Sequence, residues 1–340
     1  MRSRRGAARW ALASQPAPPA VDVLVPTAGR TSALAVTLAG LAAQDDPAFR
    51  VIVSDQSHSA PVDADPAVRA MVRVLRAQGR EVVLLRHLPR RGMAEQRQFL
   101  LDASRAPRVL FLDDDVWLEP GALERLDAAL TESGGGFAGY AVQGLSHLDD
   151  VRPHEREAFE PWGPAGVRPE RMRRGAPGFE RWRLHNAANM AHEAADRGLD
   201  DDARLAYRIA WVGGCVLFER AELLAAGGFR FWRDLPAAHA GEDVVAQWRV
   251  MERAGGAGVL PSGAVHLEAP TTVVDRGTEA SEIVFAGESA QQGPAGPERE
   301  RREKDERDAR PHPGAEVPGR HRLSREQGGH PRIGAGRGRG

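Results

Sequence analysis

Apolar runs that alternate with amphipathic segments constrain the fold of this chain more than any other feature. The apolar runs predict strands at 21–25, 50–55, 81–87 and 108–112, and the amphipathic segments predict helices at 31–44, 66–79 and 92–104. Strands that alternate with helices form right-handed βαβ units around a parallel sheet. The first half of the chain therefore predicts an α/β fold with a mostly parallel sheet flanked by helices.

The second half of the chain is less regular. Its apolar runs predict strands at 137–144, 211–220 and 259–272, and helices are predicted at 184–198, 221–228 and 241–256. Residues 145–205 are polar and rich in arginine, proline and histidine. We predict a single domain over 21–286, with one half at 21–144 and the other at 145–286.

Both ends of the chain differ in composition from this domain. Residues 1–20 are rich in arginine, alanine and proline, which predicts a flexible leader. Residues 287–340 carry almost no large apolar side chains and cannot bury enough surface to offset the entropy of ordering. We predict a disordered low-complexity tail there, either a solvated extension or a non-native terminus.

Charge and cysteine content exclude several classes of partner and site. The 46 basic and 47 acidic residues give a net charge of -1, so no global field attracts nucleic acid, and none is expected as a partner. Cys215 is the single cysteine, which excludes an intrachain disulfide and a CxxC metal site. No run approaches the roughly 20 apolar residues of a membrane helix. We expect a cytoplasmic protein that could still contact a membrane peripherally.

Polar residues follow the predicted strands of the first half. Pro26 and Thr27 follow the first strand, Asp55 ends the second, Gly92 follows the third, and three aspartates at 113–115 follow the fourth. Ligands of open α/β sheets bind outside the carboxyl ends of the strands. We therefore expect these residues to gather along one rim of the sheet.

The aspartates at 113–115 are the most specific of these signals. Adjacent carboxylates at a buried strand end raise one another's pKa and oppose folding, unless something compensates their charge. A hard cation such as Mg²⁺ or Mn²⁺ would do so, and such cations commonly share carboxylates with substrate phosphates. The alternative is a charged turn without a ligand.

Other candidates carry two interpretations when each is taken by itself. Asp55 suits an Asx turn or a contact to a base or ribose, and Arg97 suits a solvated helix position or a phosphate. Glu242 and Asp243 begin a predicted helix, where acids favour the helix dipole, but one of them could also serve as a general base. His266 could be a packed core residue or a ligand.

The order of these motifs resembles that of family 2 glycosyltransferases. The matching segments, from about residue 21 to 272, are VLVPTAGR, VIVSDQS, RRGMAEQRQ, VLFLDDDVWLEPGAL, WVGGCVLFERAELLAAGGF, GEDVVAQWR and HLEAPTT. The resemblance implies a GT-A type, Rossmann-like fold in a single catalytic domain, with residues 21–144 binding the nucleotide sugar and 145–286 on the acceptor side. It also implies a UDP-, GDP- or dTDP-sugar donor, Mn²⁺ or Mg²⁺, and a glycan, lipid or small-molecule acceptor.

The resemblance also assigns roles to single residues. It implies that Asp243 is the catalytic base, with Glu242 beside it, and that Asp115, Asp113 and His266 bind the metal. The implied donor-binding residues are Pro26, Thr27, Arg30, Asp55, Gly92, Arg97, Asp113, Asp114, Gly213 and Gly214. This chain has Arg90 or Arg91, and Gln98, where the family usually has asparagine.

These roles imply an inverting, metal-dependent hexosyltransferase-like enzyme. A base placed opposite the leaving nucleoside diphosphate gives in-line displacement at the anomeric carbon. The alternatives are a nucleotidyltransferase, which would release pyrophosphate, and a non-catalytic protein that binds nucleotide sugars. Candidates on the acceptor side are Trp182, His185, Asn186 and Asn189.

Overall fold

The computed structural model describes residues 10–11, 17–271 and 277–286. The strands are β1 (Val21–Thr27), β2 (Phe49–Asp55), β3 (Val82–Arg86), β4 (Arg108–Leu112), β5 (Val116–Leu118), β6 (Phe137–Gly139), β7 (Gln143–Gly144), β8 (Leu205–Tyr207), β9 (Cys215–Glu219), β10 (Gly256–Leu260) and β11 (Ala264–His266). The α-helices are α1 (Thr31–Ala42), α2 (Pro66–Ala77), α3 (Met93–Ala103), α4 (Ala122–Ser133), α5 (Asn189–Asp196), α6 (Arg220–Ala225), α7 (Glu242–Ala254) and α8 (Ala280–Val284).

Eight of these strands form one large sheet in the order β3-β2-β1-β4-β9-β6-β10-β8. The strands β3, β2, β1 and β4 run parallel, as do β6 and β10, whereas β9 and β8 are antiparallel to their neighbours. Helices pack on the sheet and bury its apolar side chains in two clusters, one around α1, α2 and α4 and one around α3 and α7. The predicted α/β fold with a Rossmann-like, mostly parallel sheet is therefore confirmed.

The strand register brings the predicted rim together. Thr27 is paired with Asp55, so β1 and β2 end side by side. Leu112 at the end of β4 is paired with Cys215 at the start of the antiparallel β9. The residues before β9 consequently lie at the same edge of the sheet as those that follow β1, β2 and β4.

A second, three-stranded sheet carries the chain across this edge. Its order is β5-β11-β7, and His266 of β11 is paired with Val116 of β5 and Gly144 of β7. The amide of Leu267 donates to the Asp115 carbonyl at 2.8 Å. This small sheet positions His266 beside the aspartates at 113–115, which we call the acidic strand end.

Several boundaries predicted from the sequence are wrong. The apolar run 137–144 is two strands, β6 and β7, which belong to different sheets. The run 259–272 is likewise divided between β10 and β11, and residues 211–214 precede β9 without joining it. Apolar periodicity cannot locate these breaks, because the chain stays buried while it leaves one sheet and enters the other.

Four further elements, β5, α4, β8 and α8, have no counterpart in the sequence prediction. Helix α4 buries Leu123, Leu126 and Leu130 against the large sheet, in the expected i, i+3, i+7 spacing. Strand β8 is the antiparallel edge strand and is too short to show a period. Ala280 of α8 and Phe285, just after it, lie in the second cluster, so the core includes this end of the described chain.

The predicted flexible leader and disordered tail cannot be compared with the structure. Most of the leader, at 1–9 and 12–16, and the whole tail at 287–340 lie outside the described residues. Within the residues that are described, no helix combines the length and the apolar character needed to span a membrane.

Candidate functional site

A cavity of about 390 Å³ opens at the edge where β1, β4 and β9 meet. It collects most of the residues proposed from the sequence, which come from strand ends, helix starts and the small sheet: Pro26, Thr27, Arg30, Arg97, Asp113, Asp114, Asp115, Gly213, Gly214, Glu242, Asp243 and His266. These residues span more than two hundred positions of the sequence. The fold therefore gathers the predicted donor, metal and base residues around one space.

Asp113 and Arg97 form the first contact across this cavity. The Asp113 carboxylate accepts from Arg97 Nη2 at 3.1 Å, and its side chain remains 34% exposed toward the cavity. Arg97 also donates from Nε to Glu242 Oε1 at 2.9 Å and lies over the ring of Phe111. One buried guanidinium thus connects the acidic strand end to the start of α7.

Asp114, by contrast, points away from solvent and anchors the acidic run. Thr27 Oγ1 donates to Asp114 Oδ2 at 2.6 Å, Arg30 pairs with Oδ1, and Thr37 Oγ1 donates to the main-chain carbonyl at 2.9 Å. Burial raises the pKa of Asp114 to about 6, although Thr27 and Arg30 favour the ionised form. These contacts fasten the aspartates to β1 and α1.

Asp115 lies between two basic groups. Its Oδ2 accepts from Arg30 Nη1 at 2.8 Å and lies 3.4 Å from His266 Nε2. Burial opposes ionisation, but the hydrogen bond from His266 and the charge of Arg30 outweigh it, so the pKa of Asp115 is lowered. The same hydrogen bond raises the pKa of His266.

Asp243 has a pKa closer to neutral pH than Asp114 or Asp115, the other carboxyls of this cavity whose pKa is shifted. Burial, followed by the charge of Glu242, raises the pKa of Asp243 to about 7, and the charge of Arg97 opposes the shift. Arg97 already pairs with Glu242 and Asp113, so it compensates Asp243 only in part. A carboxyl poised near neutral pH can accept a proton during a reaction.

The side chains at the acidic strand end suit a divalent cation whose coordination shell is completed by oxygens of a substrate. Asp115 and His266 converge, and Asp113 faces the cavity. Among the described residues, no three histidine, cysteine or carboxylate side chains form a complete metal cluster. Mg²⁺ is often held by one or two carboxylates, with phosphate oxygens and water completing its shell. The protein residues fit such a shared site rather than a closed one.

The two glycines before β9 leave space beside the aspartates. The Asp113 amide donates to the Gly214 carbonyl at 2.9 Å, which holds this loop against the acidic strand end. Gly214 has a φ of 74°, and a Cβ there would meet Val142 at 3.1 Å, whereas a Cβ at Gly213 would meet nothing within 4 Å. The main chain at Gly213 therefore borders open space in the cavity, and donor binding by Gly213 and Gly214 stays a prediction.

Asp55 and Gly92 do not line this cavity. The Asp55 carboxylate accepts from the Ser57 amide at 2.8 Å, the Val62 amide at 3.0 Å and Arg86 Nη1 at 3.0 Å. It therefore forms the Asx turn that was one of its two interpretations. A contact to a base stays a prediction.

Gly92 has a local structural requirement. Its φ is 105°, and a Cβ would lie 2.5 Å from the ring of His239. The close approach brings the start of α3 against the segment that leads into α7. Donor binding by Gly92 stays a prediction.

Sequence reasoning missed two polar residues that support this arrangement. His239 is 2% exposed, donates from Nδ1 to the Pro236 carbonyl at 2.7 Å and accepts from the Ala94 amide at 3.1 Å. Gln96 lines the cavity and donates to the Ser54 carbonyl at 2.8 Å. The position of Gln96 in the first turn after Gly92 could have indicated it, whereas nothing in the sequence around His239 does.

The acceptor-side candidates lie outside this cavity and stabilise the 145–205 segment. Burial lowers the pKa of His185 to about 3, and its Nε2 lies 3.1 Å from the Tyr207 hydroxyl. The side chains of Asn186 and Asn189 donate to Glu155 at 3.2 and 3.0 Å. Their contacts are internal to the fold, and a role toward an acceptor stays a prediction.

Comparisons with known proteins agree with the motif order. The family model described as glycosyltransferase like family 2 matches residues 18–280. No curated protein matches the chain by sequence.

Similar solved structures include a mannosyltransferase and TarS, each in complex with a nucleotide sugar. The mannosyltransferase PcManGT from Pyrobaculum calidifontis, in complex with GDP-Man and Mn²⁺, has a TM-score of 0.48 and 17% identity over 78% of this chain and 64% of its own. S. aureus TarS 1-349, in complex with UDP-GlcNAc, has a TM-score of 0.49 and 15% identity over 74% of this chain and 60% of its own. The chain thus spans less than two thirds of either structure.

The family match covers the large sheet, the small sheet and every residue that lines the cavity. It extends from just before β1 to the start of α8, so the expected GT-A type arrangement holds for the described domain. This chain belongs to the glycosyltransferase-like family 2.

Proposed function

We propose that this protein is a metal-dependent, inverting glycosyltransferase that moves a sugar from a nucleoside diphosphate sugar to an acceptor hydroxyl. The observation that carries the proposal is the pairing of two acidic groups around one cavity. One is an acidic strand end compensated by arginines, and the other is a carboxyl with a pKa of about 7. The first suits a diphosphate with its cation, and the second suits a proton acceptor.

The donor diphosphate would bind beside the acidic strand end. Arg30 and Arg97 remain charged, and guanidinium groups bind phosphate oxygens through two parallel hydrogen bonds. Asp115, Asp113 and His266 would hold Mn²⁺ or Mg²⁺ there. The bound cation would stabilise the negative charge that develops on the leaving nucleoside diphosphate.

Asp243 would accept the proton of the acceptor hydroxyl. A hydroxyl is a weak nucleophile until its proton is removed, and a base with a pKa near the working pH removes it most effectively. Burial and the charge of Glu242 raise the pKa of Asp243, and the charge of Arg97 opposes that increase. Attack from the side opposite the leaving group inverts the anomeric configuration.

A thermal-shift screen of UDP-, GDP- and dTDP-sugars with and without Mn²⁺ tests donor binding. A ligand that binds the folded state raises the melting temperature by mass action. We expect one nucleotide class to give a shift that needs Mn²⁺. No shift with any of them would contradict the proposal.

Product analysis with the donor so identified separates the alternatives. The proposed enzyme releases a nucleoside diphosphate, at least by slow hydrolysis, and gives an inverted anomeric configuration by NMR. Pyrophosphate release would indicate a nucleotidyltransferase. Donor binding without transfer or hydrolysis would indicate a binding protein, and a retained configuration would exclude inversion. The cytoplasmic location stays a prediction.

A further inference from the structure

Arg30 makes its ion pairs within the acidic run that would hold the cation. Its Nη1 donates to Asp115 Oδ2 at 2.8 Å and to the Pro270 carbonyl at 3.3 Å, and its Nη2 pairs with Asp114 Oδ1. The side chain is 20% exposed, and the adjacent carboxylates raise its pKa despite the cost of burial. This guanidinium is therefore charged at every relevant pH.

The Asp115 oxygen that faces His266 also accepts the hydrogen bond from Arg30. Oδ2 lies 2.8 Å from Arg30 Nη1 and 3.4 Å from His266 Nε2. A divalent cation bound between Asp115 and His266 would repel a guanidinium held at hydrogen-bonding distance from the same oxygen. The cation and Arg30 cannot both use this oxygen in the observed way.

The contacts of Arg30 also leave one of its donors unused. Its Nε is buried and has no hydrogen-bond partner among the described residues. A buried donor without an acceptor costs free energy, so the observed position does not satisfy the whole guanidinium. A diphosphate in the cavity would offer further acceptor oxygens to the same group.

We infer that Arg30 is a built-in counterion that competes with the divalent cation for Asp115 and transfers to the donor diphosphate when the cation binds. The inference rests on the proposed function, because it assumes a cation and a diphosphate that share this cavity. Without a nucleotide, cation binding must displace a paired guanidinium that gains no new anion. With the nucleotide, Arg30 exchanges Asp115 for the diphosphate.

Positive coupling between the cation and the nucleotide follows. Each ligand strengthens the binding of the other by the same factor, as thermodynamic linkage requires. The acidic run would thus stay compensated by Arg30 between turnovers and take up the cation together with the donor.

Binding of Mn²⁺ alone, followed by the EPR signal of the free ion near neutral pH, tests this role without any turnover. We expect Arg30→Gln to bind Mn²⁺ about ten-fold more tightly than the native protein, within the usual range of coupling between two ligands. Arg204→Gln is the matched control, because it removes the same charge from an exposed pair with Glu132. It should leave Mn²⁺ affinity unchanged.

The same measurement with UDP, GDP or dTDP added completes the test. We expect nucleotide to tighten Mn²⁺ binding strongly in the native protein and only weakly in Arg30→Gln. Arg30→Lys keeps the charge but cannot reach both aspartates, so its Mn²⁺ affinity should fall between the two; it serves as the test if Arg30→Gln does not fold. Equal or weaker Mn²⁺ binding in the folded variants would overturn the inference.

The two proposals fail separately. The Mn²⁺-only arm contains no nucleotide, so a difference between native protein and Arg30→Gln supports the role of Arg30 directly. If none of UDP, GDP and dTDP binds while that difference persists, the donor assignment is wrong and the competition for Asp115 stands.

Discussion

The acidic strand end and the start of α7 contain the same kind of side chain in two different electrostatic settings. At the strand end, Arg30 pairs with Asp114 and Asp115, and Arg97 pairs with Asp113. At the start of α7, Arg97 pairs with Glu242 and compensates Asp243 only in part. Burial raises the pKa of Asp114, Asp115 and Asp243 alike, and the hydrogen bonds and positive charges within reach decide how far that increase is offset.

This difference separates two tasks within one cavity. Asp115 has a lowered pKa and keeps its negative charge, which suits a cation or a charged donor. Asp243 has a pKa of about 7 and can take up and release a proton. Arg97 connects both regions, so substitutions there should affect each of them.

Replacing Arg97 should have the largest effect on stability. Arg97→Met leaves Glu242 and Asp113 without their buried partner, which should lower the free energy of unfolding by about 3–5 kcal/mol. Chemical denaturation at pH 8 measures this change. Arg97→Lys keeps the charge and should lower the free energy of unfolding by less. Equal decreases in both variants would show that the charge of Arg97 does not stabilise the protein.

Asp243→Asn should stabilise the protein at pH 8. A carboxyl with a raised pKa binds its proton more tightly when folded, so stability falls as pH rises from the ordinary 3.8 to about 7. The variant avoids this loss and should gain about 4 kcal/mol at pH 8 and less than half of that at pH 5, because the unfolded carboxyl is already ionised at pH 5. A gain that is independent of pH would contradict the raised pKa.

Asp115→Asn should weaken donor binding without changing the pKa of Asp243. We expect Mn²⁺-dependent donor binding to fall at least about ten-fold, equivalent to about 1.4 kcal/mol, because an amide neither balances Arg30 nor ligates the cation well. Calorimetric titration of the protein with the donor, once in the presence of Mn²⁺ and once in the presence of EDTA, measures the change. Undiminished Mn²⁺-dependent binding would assign the cation elsewhere.

Gly92→Ala should have the smallest effect, through the contact between the start of α3 and the segment that leads into α7. Gly134 also has a positive φ, of 69°, but a Cβ there would meet nothing within 4 Å, so Gly134→Ala is the control for a methyl group without a clash. Gly92→Ala should exceed the cost of the control by about 1 kcal/mol, because its methyl group would meet the His239 ring and because its φ of 105° and ψ of 165° suit glycine alone. Equal costs by thermal denaturation would remove this packing role.

The fold from β1 to β4 was predictable because the strands there are continuous apolar runs and the helices between them have an apolar stripe of helical period. The βαβ order also predicted that Thr27 and the aspartates at 113–115 would meet at one edge. The exchange between the two sheets at 137–144 was not predictable, because β6 and β7 are both buried and together look like one strand.

The candidate site was predictable in its residues but not in its pairings. The motif order indicated Arg30, Arg97 and Asp243, and the structure places them along one cavity. Sequence gave no sign that Arg97 would bridge Asp113 and Glu242, since these contacts join positions far apart in the chain. His239 was missed because a single histidine in a polar loop carries no pattern.

The pH dependence of turnover tests the central comparison most directly. Nucleoside diphosphate release from the identified donor, with its acceptor or by slow hydrolysis, should be measured from about pH 5 to pH 9 in the native protein and in Asp243→Asn. We predict a native rate that rises with pH through one ionisation near 7, and a variant rate at least about a hundred-fold lower with that ionisation absent. A variant that keeps the native rate and pH profile would contradict the account.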